Sequence, residues 1–341
     1  MHNFITYYIG AGFWGSLVSS IIPLVFILPF ALVAIWLELK ISAHMQDRVG
    51  PMRTGKWHGW AQPLADVTKL IQKEDIIPAA ADKALYILAP ALVFVGAYAA
   101  YAAIPFSPAY IGSNINLGIF YIVAVSALVV IGILMAGWSS NNKWSLLGAM
   151  RTAAQLVSYE IPSSLAILAV VMVAGSLNLN DICAAQSGWF WNWFVFGKFP
   201  FLFITFIIYF IASLAETNRS PFDIPEAESE LVAGYHTEYS GMRFAFFYLA
   251  EYANMFVVAA VAAVLFFGGW NSPFGTFLSG PVWGVFWLIS KGMVLVFIQI
   301  WLRWTLPRFR VDQLMYLSWK ILTPFALVNI FAVGLWVVLR G

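Results

Sequence analysis

The sequence predicts an all-α membrane protein, a bundle of about eight transmembrane helices. Of its 341 residues, 62% are hydrophobic and only 10% are charged, and the mean hydropathy is +0.82. Apolar runs recur from end to end, and a helix needs about 20 apolar residues to cross a hydrocarbon core about 30 Å thick. Backbone groups in lipid must be bonded within their own segment, so continuous runs favour helices over a barrel of short alternating strands.

Eight apolar runs are long enough to be spans, and no soluble domain fits between them. The chain is therefore expected to be one polytopic domain over residues 1–341. We expect no cleavable signal before the first run, because neither a basic start nor a small-residue cleavage site is visible there. The single cysteine, Cys183, excludes internal disulfides and thiolate clusters. The predicted spans are roughly 14–38, 84–105, 117–138, 152–176, 199–216, 244–267, 281–303 and 319–339.

The distribution of basic residues predicts the orientation of these spans. When alternate loops are assigned to one side, that side receives 15 of the 18 Lys and Arg residues, all except Lys198, Lys291 and Arg340. Such a bias marks the cytoplasmic side and places both termini on the periplasmic side. Two cytoplasmic loops are then long, 39–83 and 217–243.

The first long loop contains a predicted amphipathic helix at residues 61–75. Apolar residues at helical spacing lie opposite charged ones, which is typical of a helix in the membrane interface. A packed surface helix is the alternative explanation of this pattern. The apolar side consists of Leu64, Val67, Leu70 and Ile71, and the charged side of Asp66, Lys69 and Lys73.

The second long loop concentrates carboxylates between two apolar runs. Residues 214–244 hold six of the sixteen acidic residues, and acids at a membrane edge indicate a proton or ion path. Three of them, Glu226, Glu228 and Glu230, are spaced by two residues. An extended chain puts all three on one face, whereas a helix pairs Glu226 with Glu230. Like charges this close raise one another's pKa, which suits proton relay. A solvated acidic loop is the alternative. The six acids are Glu216, Asp223, Glu226, Glu228, Glu230 and Glu238.

Four ionisable residues fall inside the predicted spans: Glu38, Glu160, Glu251 and Lys291. Each is expected to face the bundle interior, with a partner or in its neutral form. Glu160 is placed about eight residues, or about 12 Å, into its span. A static ion pair between Glu251 and Lys291 is the alternative to a chain of titrating groups.

No motif for a redox cofactor or a metal is visible. The sequence lacks a GxGxxG dinucleotide motif and a GxxxxGKS/T phosphate loop. None of the four histidines lies in the middle of a span, which argues against bis-histidine haem ligation. If the chain serves electron transfer, it provides a substrate site while partners provide the electrons, and it forms no covalent catalytic intermediate of its own.

Five long blocks of sequence resemble a known family. They closely resemble the H-type membrane subunits of proton-pumping NADH:quinone oxidoreductase, respiratory complex I, in the family's order and spacing. The family commonly has Asn where this chain has Met52, and an Arg-rich end to the first span where this chain reads LELKIS. The blocks are QDRVGP (46–51), QPLADVTKLIQKE (62–74), GWSSNNKWSLLGAMRTAAQLVSYEIP (137–162), LAETNRSPFDIPEAESELVAGYHTEYSGMRFAFFYLAEYANM (214–255) and RWTLPRFRVDQLMYLSWKIL (303–322).

The resemblance implies a bundle of eight spans whose cytoplasmic loops form part of a tunnel for quinone, the substrate. Hydrophilic partner subunits with iron–sulfur clusters and FMN would close this tunnel, and antiporter-like membrane subunits would be further partners. The expected location is a bacterial inner membrane, or the mitochondrial inner membrane as the alternative, with no nucleic-acid partner. The implied quinone-site residues are Arg48, Asp66, Arg219, Arg303 and Arg308. The implied proton-coupling residues are Glu160, Glu216, Asp223, Glu226, Glu228, Glu230 and Glu251.

Three other functions remain as alternatives. Related membrane-bound hydrogenases and ferredoxin- or F420-linked complexes carry a homologous component, for which a looser match to these blocks is expected. A free-standing secondary transporter predicts inverted repeats with broken helices, and no such symmetry is visible. A purely structural membrane anchor has no need of acidic residues at depth.

Overall fold

A computed structural model of the protein describes residues 13–224 and 228–340, and these residues form an all-helical bundle. The described residues contain no β-strand, only isolated bridges at Pro105–Ile111 and Trp189–Phe274. The predicted fold class is confirmed.

The long helices follow one another up and down through the bundle. Within the described ranges, seven are long and apolar enough to cross a membrane, and α8, with 16 residues, is a shorter apolar helix in the position of the remaining predicted span. The helices are α1 Phe13–Met45, α2 Gln62–Gln72, α3 Lys83–Ala100, α4 Gly118–Ser139, α5 Lys143–Ala174, α6 Leu179–Ala185, α7 Phe194–Gly197, α8 Phe201–Glu216, α9 Glu228–Leu231, α10 Gly241–Phe266, α11 Pro281–Thr305, α12 Val311–Tyr316 and α13 Thr323–Arg340.

Helix α10 is the central helix of the bundle. Every residue from Tyr252 to Phe266 is buried, and the helix packs against α1, α3, α8 and α11. Alanines such as Ala259 and Ala263 let neighbouring backbones approach closely, which is how helices pack where lipid offers no hydrophobic driving force. Groups on α10 can therefore touch several other helices.

The loops meet at two opposite ends of the bundle, as the alternate-loop assignment predicts. At one end, the Asn178 side chain donates to Asn114 Oδ1 at 3.0 Å, which joins the α3–α4 loop to the α5–α6 loop. At the other end, the backbone N–H of Asp82 donates to the Ser139 carbonyl at 3.0 Å. The Arg-rich loops lie at this second end, so the structure separates the basic end from the nearly uncharged one.

Helix α5 begins nine residues earlier than the predicted span. The side chain of Asn142 accepts a hydrogen bond from Trp144 N and caps the first turn, so the helix continues out of the apolar stretch. Glu160 thus lies about 26 Å from the helix start rather than about 12 Å. The prediction was wrong because hydropathy detects only the part of a helix that suits lipid.

The predicted amphipathic helix is present as α2. Its apolar residues Leu64, Val67 and Ile71 are exposed in this chain, while it contacts α1 and α10 through its other side. Near the C-terminus, α12 is followed by a π-helical turn, Leu317–Leu322, before α13 begins. The last helical stretch is therefore longer than the predicted span 319–339.

Candidate functional site

Glu38 is the centre of a buried cluster of charges at the basic end. Arg219 Nη1 donates to both carboxylate oxygens, at 3.2 and 3.0 Å. Arg303 Nη1 donates to Glu38 Oε1, and Tyr252 Oη donates to Oε2 at 2.7 Å. Helices α1, α10 and α11 and the loop after α8 each contribute one side chain. We call these four residues the arginine cluster.

The arginine cluster carries a net positive charge in a nearly closed environment. Arg219 is only 4% exposed, and its guanidinium lies 4.6 Å from the centre of the Tyr252 ring, a cation–π contact. Burial alone lowers the pKa of Arg219, but the Glu38 carboxylate outweighs burial and raises that pKa well above its usual range. Two guanidinium groups share one carboxylate, so positive charge remains to attract an anion.

A second ion pair lies in the loops beside this cluster. Arg308 Nη2 is 2.9 Å from Asp223 Oδ2, and Arg308 also lines a cavity of about 210 Å³ with Ile224, Glu230 and Phe309. Glu230 pairs with Arg151 Nη1 at 2.7 Å. The acidic loop is therefore attached both to the α11–α12 loop and to α5.

Glu160 and Glu216 are brought together within the bundle. Both line two small cavities, of about 30 and 20 Å³, which they share with Ser126 and Asn254. A cavity of roughly this size accommodates about one water molecule, and polar partners are available to hold it. Gln155 Nε2 donates to the Ala215 carbonyl at 2.8 Å, which fixes α5 against the end of α8. We call this site the glutamate cavity.

Glu251 precedes Tyr252 on α10 and has local polar partners. Tyr235 Oη donates to Glu251 Oε1 at 3.0 Å, and His236 Nε2 lies 3.6 Å from the same oxygen. The short 3₁₀ helix Gly234–His236 packs against α5, which holds these two side chains in place. The acidic loop thus returns to α10 through Tyr235 and His236.

The alternative of a static Glu251–Lys291 ion pair is wrong. Lys291 Nζ donates to the carbonyls of Phe267, Gly269 and Asn271, at 2.8, 2.9 and 2.6 Å. It therefore binds the carbonyl groups that follow the last turn of α10, where a cation is favourable. Glu251 lies 15 residues, about 22 Å, before the end of the same helix.

The remaining predicted site residues lie apart from the arginine cluster or outside the described part of the chain. Arg48 is exposed and donates to Gln46. Asp66 is half-buried on α2 and accepts from Gln62 Nε2 at 3.3 Å. Glu226 lies outside the described residues, and so does the side chain of Glu228, although the backbone of α9 begins at that residue.

Sequence reasoning missed four residues of these sites: Glu38 as the shared partner of the arginines, Tyr252, and the pair Tyr235 and His236. The sequence contained only weak indications that these residues belong to the sites. Glu38 was singled out as an acid within a span, whereas the two tyrosines are indistinguishable in sequence from ordinary core aromatics. Only the three-dimensional contacts identify them.

Comparisons with known proteins agree on one family. The model of the family described as NADH dehydrogenase matches residues 18–334. The chain is 56% identical to the H subunit of NADH-quinone oxidoreductase from Chlorobium luteolum, over 95% of this chain and 90% of the relative. It is also 56% identical to the H subunit from Chlorobaculum tepidum, over 95% and 93%. It is 55% identical to the one from Chlorobaculum parvum, again over 95% and 93%.

Proposed function

Because the chain belongs to the NADH dehydrogenase family, as the H-type membrane subunit of NADH-quinone oxidoreductase (complex I), we propose that it forms part of the quinone site and transmits quinone reduction to proton translocation. The arginine cluster faces the quinone site, and the glutamate cavity lies on the coupling path. Glu251, Asp223 and the acidic loop, including Glu226, Glu228 and Glu230, connect the two. Arg308 belongs to the quinone side, and Arg48 and Asp66 lie at its margin.

One observation carries this proposal: a single turn of α10 contacts both sites. Tyr252 donates to Glu38 and lies beneath Arg219, while Asn254, two positions on, lines the glutamate cavity. Glu251, the residue before Tyr252, accepts a hydrogen bond from the Tyr235 hydroxyl. A change of charge at the arginine cluster therefore acts on the helix that borders the glutamates.

The chemistry requires such a connection. Reduction of a quinone to a quinol takes up two electrons and two protons, and electrons that arrive first place negative charge on the quinone oxygens. Positive groups held in a poorly solvated site stabilise that charge strongly. Arg219 and Arg303 supply the positive charge. Their attraction to Glu38 weakens as they turn towards the quinone. Protons taken up in response then redistribute among the carboxylates.

Partner subunits provide what this chain lacks in the proposal. The electrons come from iron–sulfur clusters and FMN in hydrophilic subunits, which bind over the basic end. Antiporter-like membrane subunits receive the conformational change. The matched relatives are bacterial, which supports a multi-pass location in a bacterial inner membrane. The Lys and Arg bias supports a cytoplasmic basic end and periplasmic termini.

A photoreactive quinone tests the proposal in the purified complex. After irradiation with a quinone bearing an azide on its ring, digestion and mass spectrometry identify the labelled peptides. We expect label on this chain within residues 217–224 or 303–310, and competition by unmodified quinone. Label confined to other subunits would remove this chain from the quinone site.

A further inference from the structure

A surface of exposed aromatic side chains lies at the uncharged end of the bundle. It is formed by the segment before α8 and the loop after α10, which are joined by the bridge between Trp189 and Phe274 and by the hydrogen bond from Phe190 N to the Pro273 carbonyl at 3.2 Å. We call the exposed members the aromatic rim. They are Trp189, Trp191, Phe196, Phe199, Phe274 and Phe277, each at least 45% exposed.

The fold holds the aromatic rim facing outward. On the inner side of the same segment, Trp193, Phe194 and Val195 are buried in the bundle. Gln186 Oε1 accepts from the backbone N–H groups of Phe194, at 3.1 Å, and Gly268, at 3.0 Å. The two loops are thus tied to one side chain, so the exposure of the rim is a fixed feature of the structure. Large exposed apolar surfaces of this kind mark contact with a membrane or a protein.

The length of α8 indicates whether a membrane or another protein covers the aromatic rim. Its 16 residues span about 24 Å, about 6 Å less than the hydrocarbon core. At its basic end the chain continues at once into Thr217, Asn218 and Arg219, all buried polar residues bonded within the protein. The missing length therefore falls at the other end, where residues 189–200 precede the helix.

Residues 189–200 have the composition and the backbone hydrogen bonds that a segment at the edge of a membrane requires. They contain no acidic residue, and their one basic residue, Lys198, places its ammonium 5.1 Å from the Trp336 ring. Backbone N–H groups near lipid need partners. Those of Phe196 and Gly197 donate to the Trp193 carbonyl, at 3.0 and 2.7 Å. Trp side chains favour the boundary between headgroups and acyl chains.

We propose that residues 189–200 are embedded in the headgroup–acyl boundary of the membrane leaflet at the uncharged end, completing the crossing that α8 begins. The aromatic rim is then a lipid-binding surface, with acyl chains beside the phenylalanines and lipid headgroups beside the tryptophans and Lys198. This inference concerns the opposite end of the bundle from the arginine cluster and is independent of the proposed quinone site.

Photocrosslinking with lipid tests the occupant. The intact complex is placed in nanodiscs of phosphatidylethanolamine and phosphatidylglycerol that carry a diazirine in one acyl chain. After irradiation we expect lipid adducts on the peptides that contain Trp191 and Phe199, as well as on α13, whose Phe331 is 83% exposed. Adducts on α13 but none on residues 189–199 would show that water or another subunit covers the rim, and would overturn the proposal.

Water accessibility provides the second measurement. Trp191→Cys and Phe199→Cys are compared with Ser113→Cys, which lies in an exposed loop at the same end, using a membrane-impermeant maleimide on membrane vesicles. The native Cys183 gives little background, since burial raises its pKa to about 12 and its side chain is inaccessible. We expect the Ser113→Cys variant to react about tenfold faster than the other two, because thiol reactivity follows access to water. Equal rates for the three variants would place the rim in water and contradict the proposal.

Discussion

Glu38 and Arg219, 181 positions apart in the chain, form a buried contact in which Arg219 Nη1 lies 3.2 and 3.0 Å from the two carboxylate oxygens. Arg303 and Tyr252 complete the coordination of the same carboxylate. A buried charge is tolerated only when it is paired and hydrogen-bonded. This carboxylate therefore determines where both guanidinium groups rest before they meet a negatively charged quinone.

Replacing Glu38 tests that role. The Glu38→Gln variant keeps the shape but leaves Arg219 and Arg303 without their carboxylate, and a lost charged hydrogen bond is worth about 1.5–3 kcal/mol. We expect quinone reductase turnover of the assembled complex to fall by about tenfold or more, as 1.4 kcal/mol corresponds to a factor of ten. NADH oxidation by an artificial acceptor such as ferricyanide should be unchanged. The Glu38→Asp variant is the control, because it keeps the charge. Wild-type quinone turnover in the Gln variant would show that the arginines are positioned without Glu38.

Two substitutions of Tyr252 distinguish the contribution of its hydroxyl from that of its ring. Tyr252→Phe removes the 2.7 Å hydrogen bond to Glu38 but keeps an aromatic face beneath Arg219, whereas Tyr252→Leu removes both. We expect the Phe variant to lose less quinone reductase turnover than the Leu variant, since a cation–π contact contributes about 0.5–2 kcal/mol. Turnover and the KM for quinone should be measured in both. Equal losses in the two variants would mean that the ring makes no contribution.

The acidic loop allows a comparison of two partners in one ion pair. Glu230 and Arg151 lie 2.7 Å apart, but the Glu230 side chain is 57% exposed, and exposed pairs contribute about 0–1 kcal/mol to stability. We expect Glu230→Gln, and likewise Glu228→Gln, to assemble normally yet to lower both quinone turnover and coupled proton pumping. Arg151→Ala is the matched control, because it breaks the same pair and keeps the carboxylate. If Glu230→Gln and Arg151→Ala give the same activities, the carboxylate matters only through the pair.

The topology gives a further testable outcome. Reporter fusions after Lys56 and within α9 should report the cytoplasmic side, and fusions in the loops 106–116 and 268–280 the periplasmic side, because the basic residues gather at one end. The structure already groups these loops at opposite ends. A periplasmic signal at Lys56 would reverse the orientation of the whole bundle.

Much of this fold could be predicted because the bilayer imposes simple requirements. Continuous apolar runs indicated the helices, the helical spacing of Leu64, Val67 and Ile71 indicated α2, and the concentration of acids indicated the loop that contacts Arg308 and Arg151. Helix ends were predicted less well. The start of α5 depends on a cap at Asn142, which a hydropathy pattern does not register.

The contacts within the sites could not be predicted from spacing. Glu38 meets Arg303 across 265 positions, and such a pairing depends on how α1, α10 and α11 pack. The alternative of an ion pair between Glu251 and Lys291 was wrong for the same reason. Two charges within spans attract each other only if their depths match. Lys291 binds carbonyls just beyond the C-terminal end of α10, about 22 Å along that helix from Glu251. The resemblance to a family placed Arg219 and Arg303 together in one function, and the structure shows that they share one carboxylate.

Glu160 tests the central claim, that carboxylates of this chain connect quinone reduction to proton movement. It shares its small cavities with Glu216 and Asn254. Two residues further on, Pro162 has no backbone N–H to donate, and the Ser158 carbonyl accepts from Ser318 Oγ at 2.6 Å instead. Glutamine preserves the shape of the Glu160 side chain but does not titrate, while aspartate titrates with a shorter reach.

The direct measurement is the rate of proton uptake driven by NADH in membrane vesicles that contain the assembled complex, with quinone reductase rates measured in parallel. We expect Glu160→Gln to lower both the quinone reductase rate and the coupled proton uptake, and Glu160→Asp to retain an intermediate level of each. NADH oxidation by ferricyanide serves as the control for assembly and should be equal in all three complexes. Wild-type quinone turnover and proton uptake in Glu160→Gln would contradict the account and exclude α5 from the coupling path.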